Sequence, residues 1–193
     1  MKKGTVIYCH GFASSGKNPK SAALVEEFGE DNVATPDIPI DPVTAEELLD
    51  KIIATELRKG KEVVLVGTSL GGFWANYLAH KWLLPCVMVN PSVDPDVAMA
   101  TRVSKPMNNY VTGEPILVTD ADVAAFAKRK NSKAMSILIK DSYLFVAKDD
   151  DVLDYRVALA RLDATSITVK DEGGHRFEQH WPEVISVVKK LLS

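Results

Sequence analysis

Residues 63–72 read Val63-Val64-Leu65-Val66-Gly67-Thr68-Ser69-Leu70-Gly71-Gly72, and the rest of the chain can be ordered around them. Four consecutive apolar, mostly β-branched residues predict a strand buried on both faces. Beyond Ser69 a helical pattern runs over residues 70–84, where Pro85 stops it. Gly-x-Ser-x-Gly therefore falls at a strand-to-helix turn. The bare pattern would occur by chance in roughly one chain in twenty of this length, so its placement matters more than its letters. A sharp turn here lifts the serine hydroxyl above the sheet, and the flanking glycines leave room for the tight backbone. The helix N-terminus then favours negative charge developing beside the serine.

Similar apolar runs recur at residues 5–9, 32–35, 86–89, 143–147 and 166–169, each predicted to be a strand. Between them a helix is predicted from Thr44, with Thr44 and Glu47 as a capping box, to a stop at Gly60. Further helices are predicted over 152–162 and 182–192, where Pro182 suits a first helical turn. The alternation implies an α/β fold: a mostly parallel six-stranded sheet with helices on both faces and right-handed crossovers. Ligands then bind at the carboxyl ends of the strands. Residues 91–135, with Pro91, Pro95, Pro106 and Pro115, break the alternation and read as a small lid-like insertion in one domain spanning 1–193.

With 193 residues, 46% hydrophobic and 25% charged, the chain has the composition of one globular domain. A formal charge of -3 supplies no basic field for nucleic acid or anionic lipid, so neither is an expected partner. Cys9 and Cys86 lie in apolar runs and read as reduced core thiols, with no metal-binding or disulfide spacing. Lys2 and Lys3 precede a short apolar run, but Cys9-His10-Gly11 interrupts it before a signal-peptide core forms. No stretch is long and apolar enough to span a bilayer, and the expected compartment is the cytoplasm. Oligomeric state leaves no signal.

A serine hydroxyl needs a base, and the base an orienting carboxylate. His175 lies in the Gly-flanked loop Glu172-Gly173-Gly174-His175, after the last predicted strand. His80 falls within a helical run, and His180 is a weaker competitor near the last helix. The strand at 143–147 runs into Lys148-Asp149-Asp150-Asp151, so Asp149, Asp150, Asp151 and Asp154 all compete for the acid. Asp150 is preferred because Asp151-Val152-Leu153 starts the next helical pattern. The order Ser, acid, His is that of α/β-hydrolases. For an oxyanion, the expected backbone N–H donors are Leu70, after the serine, and Phe12, after the first strand. His10 is then a structural neighbour. Residues 11–18 match the phosphate-binding G-x-x-x-x-G-K-[ST] except that Asn18 replaces the Mg²⁺-binding hydroxyl, and Pro19 follows. Nucleotide binding is therefore a remote alternative, and a non-catalytic binding module on the same scaffold a nearer one. From the insertion, Tyr110, Ile116, Leu117 and Phe126 are the expected pocket residues.

With these residues placed, the chain resembles the small bacterial YqiA/YcfP-type esterases of the α/β-hydrolase superfamily. The resemblance runs through Tyr8 to Ser15, Gly67 to Gly72, Asn90-Pro91-Ser92-Val93 and Asn109 to Glu114. It continues through Asp150 to Tyr155 and Glu172 to Phe177. It implies an esterase or thioesterase that hydrolyses small acyl esters through a covalent acyl-enzyme without a cofactor, with Ser69, Asp150 and His175 at the triad positions. Asp149 stands where these proteins often have Gly.

Overall fold

A computed structural model describes residues 4–193; Lys2 and Lys3 lie outside the described residues. The first half comprises β1 (Gly4–Cys9), α1 (Pro19–Phe28), β2 (Val33–Ala34), α2 (Pro42–Arg58), β3 (Glu62–Thr68), α3 (Leu70–Trp82) and β4 (Cys86–Val89). Next come α4 (Pro95–Ala100), β5 (Met107–Asn108), β6 (Pro115–Ile116) and α5 (Asp120–Lys130). The chain closes with β7 (Ser142–Ala147), α6 (Tyr155–Arg161), β8 (Ser166–Lys170) and α7 (Trp181–Leu191).

Six strands form one sheet in the order β2-β1-β3-β4-β7-β8, every pair parallel. The expected α/β architecture and all six strands are borne out. Strand alternation divides the core in two. Ile7, Val63, Leu65 and Met88 face one way, against Leu49 and Ile53 of α2 and the whole apolar side of α3. Val6, Tyr8, Val64 and Val66 face the other way, against Leu24 of α1 and Trp181, Val184 and Val188 of α7. Cys9 and Cys86 are buried and free, and burial pushes both thiols up to about 12.

Strand order reverses between β1 and β3, because β2 lies outside β1 while β3, β4, β7 and β8 continue the other way. At such a switch point the loops leaving adjacent strand ends diverge and leave a crevice. The loop after β1 and the turn carrying Ser69 border it.

Several local expectations are corrected. Helix α2 starts two residues before Thr44: its cap is Asp41, whose carboxylate accepts from the Val43 and Thr44 amides, with Pro42 in the first turn. An Asp-Pro start satisfies the free amides as well as a Thr–Glu pair does, and comes first in the chain. Residues 19–28, for which no element is expected from the sequence, form α1, which buries just Ser21 and Leu24 and so leaves little periodic signal. The 91–135 insertion holds two helices and the antiparallel pair β5–β6. Phe126, expected to line a pocket, is fully buried in an aromatic cluster with Phe73 and Trp74, on the side of α5 that packs into the core.

Candidate active site

Ser69 occupies the residue between β3 and α3 with φ 56° and ψ −122°, a backbone that a non-glycine residue adopts only under strain. Its neighbours explain how the strain is held. A Cβ on Gly67 would stand 1.9 Å from the Gly71 carbonyl oxygen, and one on Gly71 would stand 1.9 Å from that of Cys9. Only hydrogen fits at either place, so α3 seats directly on the ends of β1 and β3. The Ser69 amide is held by the Val89 carbonyl, and the Ser69 carbonyl accepts from Gly72 and Ser92.

Three side chains from separate strand ends meet in a line. Ser69 Oγ is 3.0 Å from His175 Nε2, and His175 Nδ1 is 2.9 and 3.0 Å from the two Asp150 oxygens. A carboxylate only accepts, so Nδ1 carries the proton and Nε2 is free to accept from the serine hydroxyl. The Asp150 side chain is 1% exposed. Burial pushes its carboxyl up, but the His175 ring and the Leu153 and Val152 amides pull it down further, leaving it below the ordinary carboxylate range.

Asp149 does something else: its carboxylate accepts from the Gly173 and Gly174 amides at 3.2 and 2.8 Å and so holds the loop that carries His175. Asp154 caps α6 through the Arg156 amide, and Asp151 is exposed. His180 contacts Glu183 and the Glu172 carbonyl, packing on Phe177, while His80 is buried against the Ile137 carbonyl.

Gly11 brings the loop after β1 against the turn: a Cβ placed there would lie 3.8 Å from Ser69 Oγ. Among the described residues no acceptor is paired with the Phe12 or Leu70 amide; Leu70 opens α3, where amides are free by geometry. His10 stiffens this loop. Its Nε2 accepts from the Ile38 amide, so Nδ1 carries the proton and donates to the Gly11 carbonyl at 2.8 Å. Burial lowers its pKa, against the opposing pull of that carbonyl and Asp37.

The phosphate-loop likeness ends in the same region. Asp37 accepts from Ser15 Oγ and the Gly16 amide, each at 2.7 Å, and Asn18 caps the Lys20 and Ser21 amides of α1. Within the loop the Gly16 amide and the Ser15 hydroxyl are thus taken by a carboxylate, and Asn18 serves as a helix cap where the phosphate-loop pattern has a Mg²⁺-binding hydroxyl.

A family model described as "Uncharacterised protein family (UPF0227)" matches residues 5–191. The chain belongs to the UPF0227 family. Among its relatives, the UPF0227 protein of Shewanella woodyi is 23% identical over 181 residues, 92% of this chain and 87% of that one. Two solved structures resemble the UPF0227 fold. Est1E from Butyrivibrio proteoclasticus has a TM-score of 0.68 at 14% identity, covering 98% of this chain and 86% of that one. The Paleococcus ferrophilus monoacylglycerol lipase has 0.70 at 16%, covering 99% and 98%. At such identities the likeness shows the fold, which is that of the α/β-hydrolases.

Two cavities meet at the loop after β1 of this UPF0227 protein. One, of about 360 Å³, holds Ser69 and His175, with Tyr110, Lys20 and Arg176 around it. The other, of about 320 Å³, lies across Phe12 and is walled by Ile38, Ile40, Leu70, Trp74, Ile116 and Leu117. Tyr110 is 79% exposed at the rim of the first, and Phe126 lines neither. The insertion is tied down here: the Tyr110 amide donates to the Ala13 carbonyl and Asn109 Nδ2 to that of Ser14.

One residue of the UPF0227 site escaped the sequence reading as a functional group. Asn90, at the end of β4, is 3% exposed with φ 40°. Its Nδ2 donates to the Gly174 and His175 carbonyls at 2.9 and 3.2 Å, and its Oδ1 accepts from the Ala147 amide. Asn90-Pro91 carried part of the family resemblance, but nothing in its spacing pointed to the loop 84 residues away.

No helix among the described residues is long and apolar enough to cross a membrane.

Proposed function

We propose that the protein is a serine esterase or thioesterase that hydrolyses small-molecule acyl esters in the cytoplasm, with no cofactor. Ser69 Oγ attacks the acyl carbonyl while His175 Nε2 takes its proton, and Asp150 stabilises the imidazolium. The Phe12 and Leu70 amides receive the oxyanion. The tetrahedral intermediate collapses to an acyl-enzyme as His175 returns the proton to the leaving group. Water, activated by the same imidazole, then releases the acid. The observation that carries this reading is the continuous hydrogen-bonded line from Ser69 through His175 to Asp150. The 91–135 insertion serves as the cap of a single domain and shapes the substrate cavities through Tyr110, Ile116 and Leu117.

The test is Ser69→Ala with a short-chain 4-nitrophenyl ester. Turnover should drop to background while the melting temperature is kept, and a fluorophosphonate probe should label the parent protein at Ser69 alone. Undiminished turnover in the variant, or a folded parent that does not label, would refute the assignment; the second result would favour a binding module.

A further inference from the structure

The two cavities on either side of Phe12 differ in charge. The Phe12 side has apolar walls, and among the described residues that line it the charged groups are the acids Asp37 and Glu114, with the Arg102 guanidinium 5.2 Å over the Phe12 ring itself. The His175 side carries Lys20 and Arg176 against one acid, Glu178. That acid leans towards Arg176, at 3.7 Å from its guanidinium. Lys20 is half-buried with Nζ 5.8 Å over the Trp181 ring, and among the described residues it has no carboxylate within ion-pair distance. A cation held partly out of water without a counter-ion is costly unless something anionic joins it. Burial lowers its pKa, with Glu178 opposing and Arg176 reinforcing the fall.

Chemistry assigns the two sides. In the acylation step the Ser69 Oγ–carbon bond forms and the bond from carbon to the leaving atom breaks. That atom takes the proton which His175 Nε2 drew from the serine, so it must stand within hydrogen-bond reach of Nε2. The leaving group therefore occupies the His175 side, and the acyl chain the other.

We propose that the substrate is an ester of an apolar acyl group with an alcohol or thiol bearing a phosphate or carboxylate, which Lys20 and Arg176 bind on the His175 side. This rests on the hydrolase reading above and adds the charge and orientation of the substrate. Acidic lining on the acyl side disfavours the reverse placement.

The test compares 3-carboxyphenyl butyrate and 3-phosphonooxyphenyl butyrate with neutral 3-carbamoylphenyl butyrate, each kcat/KM divided by the ester's rate with hydroxide. One or both anionic esters should be preferred by roughly tenfold at low salt, and the preference should shrink as salt screens it. Which ester gains more distinguishes phosphate from carboxylate. Lys20→Met keeps the stem packed on Trp181 and should cut the preference to within about threefold, whereas Lys20→Arg should restore it. Equal or inverted rates in the parent, or a preference that survives Lys20→Met combined with Arg176→Gln, would overturn the proposal. Calorimetry with 3-hydroxybenzoate, 3-phosphonooxyphenol and neutral 3-hydroxybenzamide on Ser69→Ala reads the subsite without turnover. Tighter binding of an anion there, with no hydrolysis of any ester by the parent, would place the failure in the hydrolase reading and not in the subsite.

Discussion

At the residue scale, two adjacent aspartates are separated by what each touches. Asp150 faces the imidazole and Asp149 the two glycine amides before it. Asp150→Asn should reduce kcat about 10³-fold or more, because an amide can hold the wrong imidazole tautomer. Asp149→Asn keeps an oxygen for one amide and should cost no more than about tenfold; steady-state kinetics on one nitrophenyl ester compares the two. Asn90 acts through the backbone of His175 and is a positioning residue. Asn90→Ala leaves two carbonyls and one amide unpaired near the base, which should lower stability by about 2–3 kcal/mol. It should also lower kcat by about tenfold or more with KM little changed, since misplacing the base affects the chemical step and not binding. Melting curves and a kcat and KM pair check both parts.

At the element scale, α2 shows how one local rule overrides another. Thr44 and Glu47 fit a capping box, yet Asp41 takes the cap and Thr44 itself donates to it. Asp41→Ala should therefore cost about 1 kcal/mol in chemical denaturation, and Glu47→Ala less than about 0.5 kcal/mol. The reverse ranking would restore the box. Strand ends were easier to read, because each buried strand is a run of apolar residues that stops where the backbone meets solvent at the sheet's carboxyl edge. Helices α4 and α5 were not read at all: Met99 and Phe126 bury into the core while Val97 stays exposed, so neither helix has a continuous apolar stripe.

At the scale of the whole molecule, Glu56 stitches β1, α2 and the start of β3 together at the edge opposite the site. Its carboxylate accepts from Thr5 Oγ1 at 2.8 Å and pairs with Lys59 and Lys61. Burial pushes its carboxyl up, but Lys59, Thr5 and Lys61 outweigh that and bring it down to about 2. The folded value lies below the unfolded one, near 4.3, so this contribution is fully present above that pH. It disappears as pH falls towards about 2. Discounted for partial solvent screening, it is worth about 1–2 kcal/mol. Glu56→Gln should lose that much at pH 7 and show a shallower decline of stability between pH 4.5 and 2; an unchanged acid limb would contradict it. Sequence by itself determined the six strands, the turn at Ser69 and the late placement of His175. These follow from local apolar runs and from glycines that no larger residue can replace. Which aspartate faces the imidazole, that Asn90 clamps its loop, and that Phe126 turns inward were decided only by tertiary structure. Each depends on contacts between residues tens of positions apart, whose distance the periodicity of a single segment does not encode.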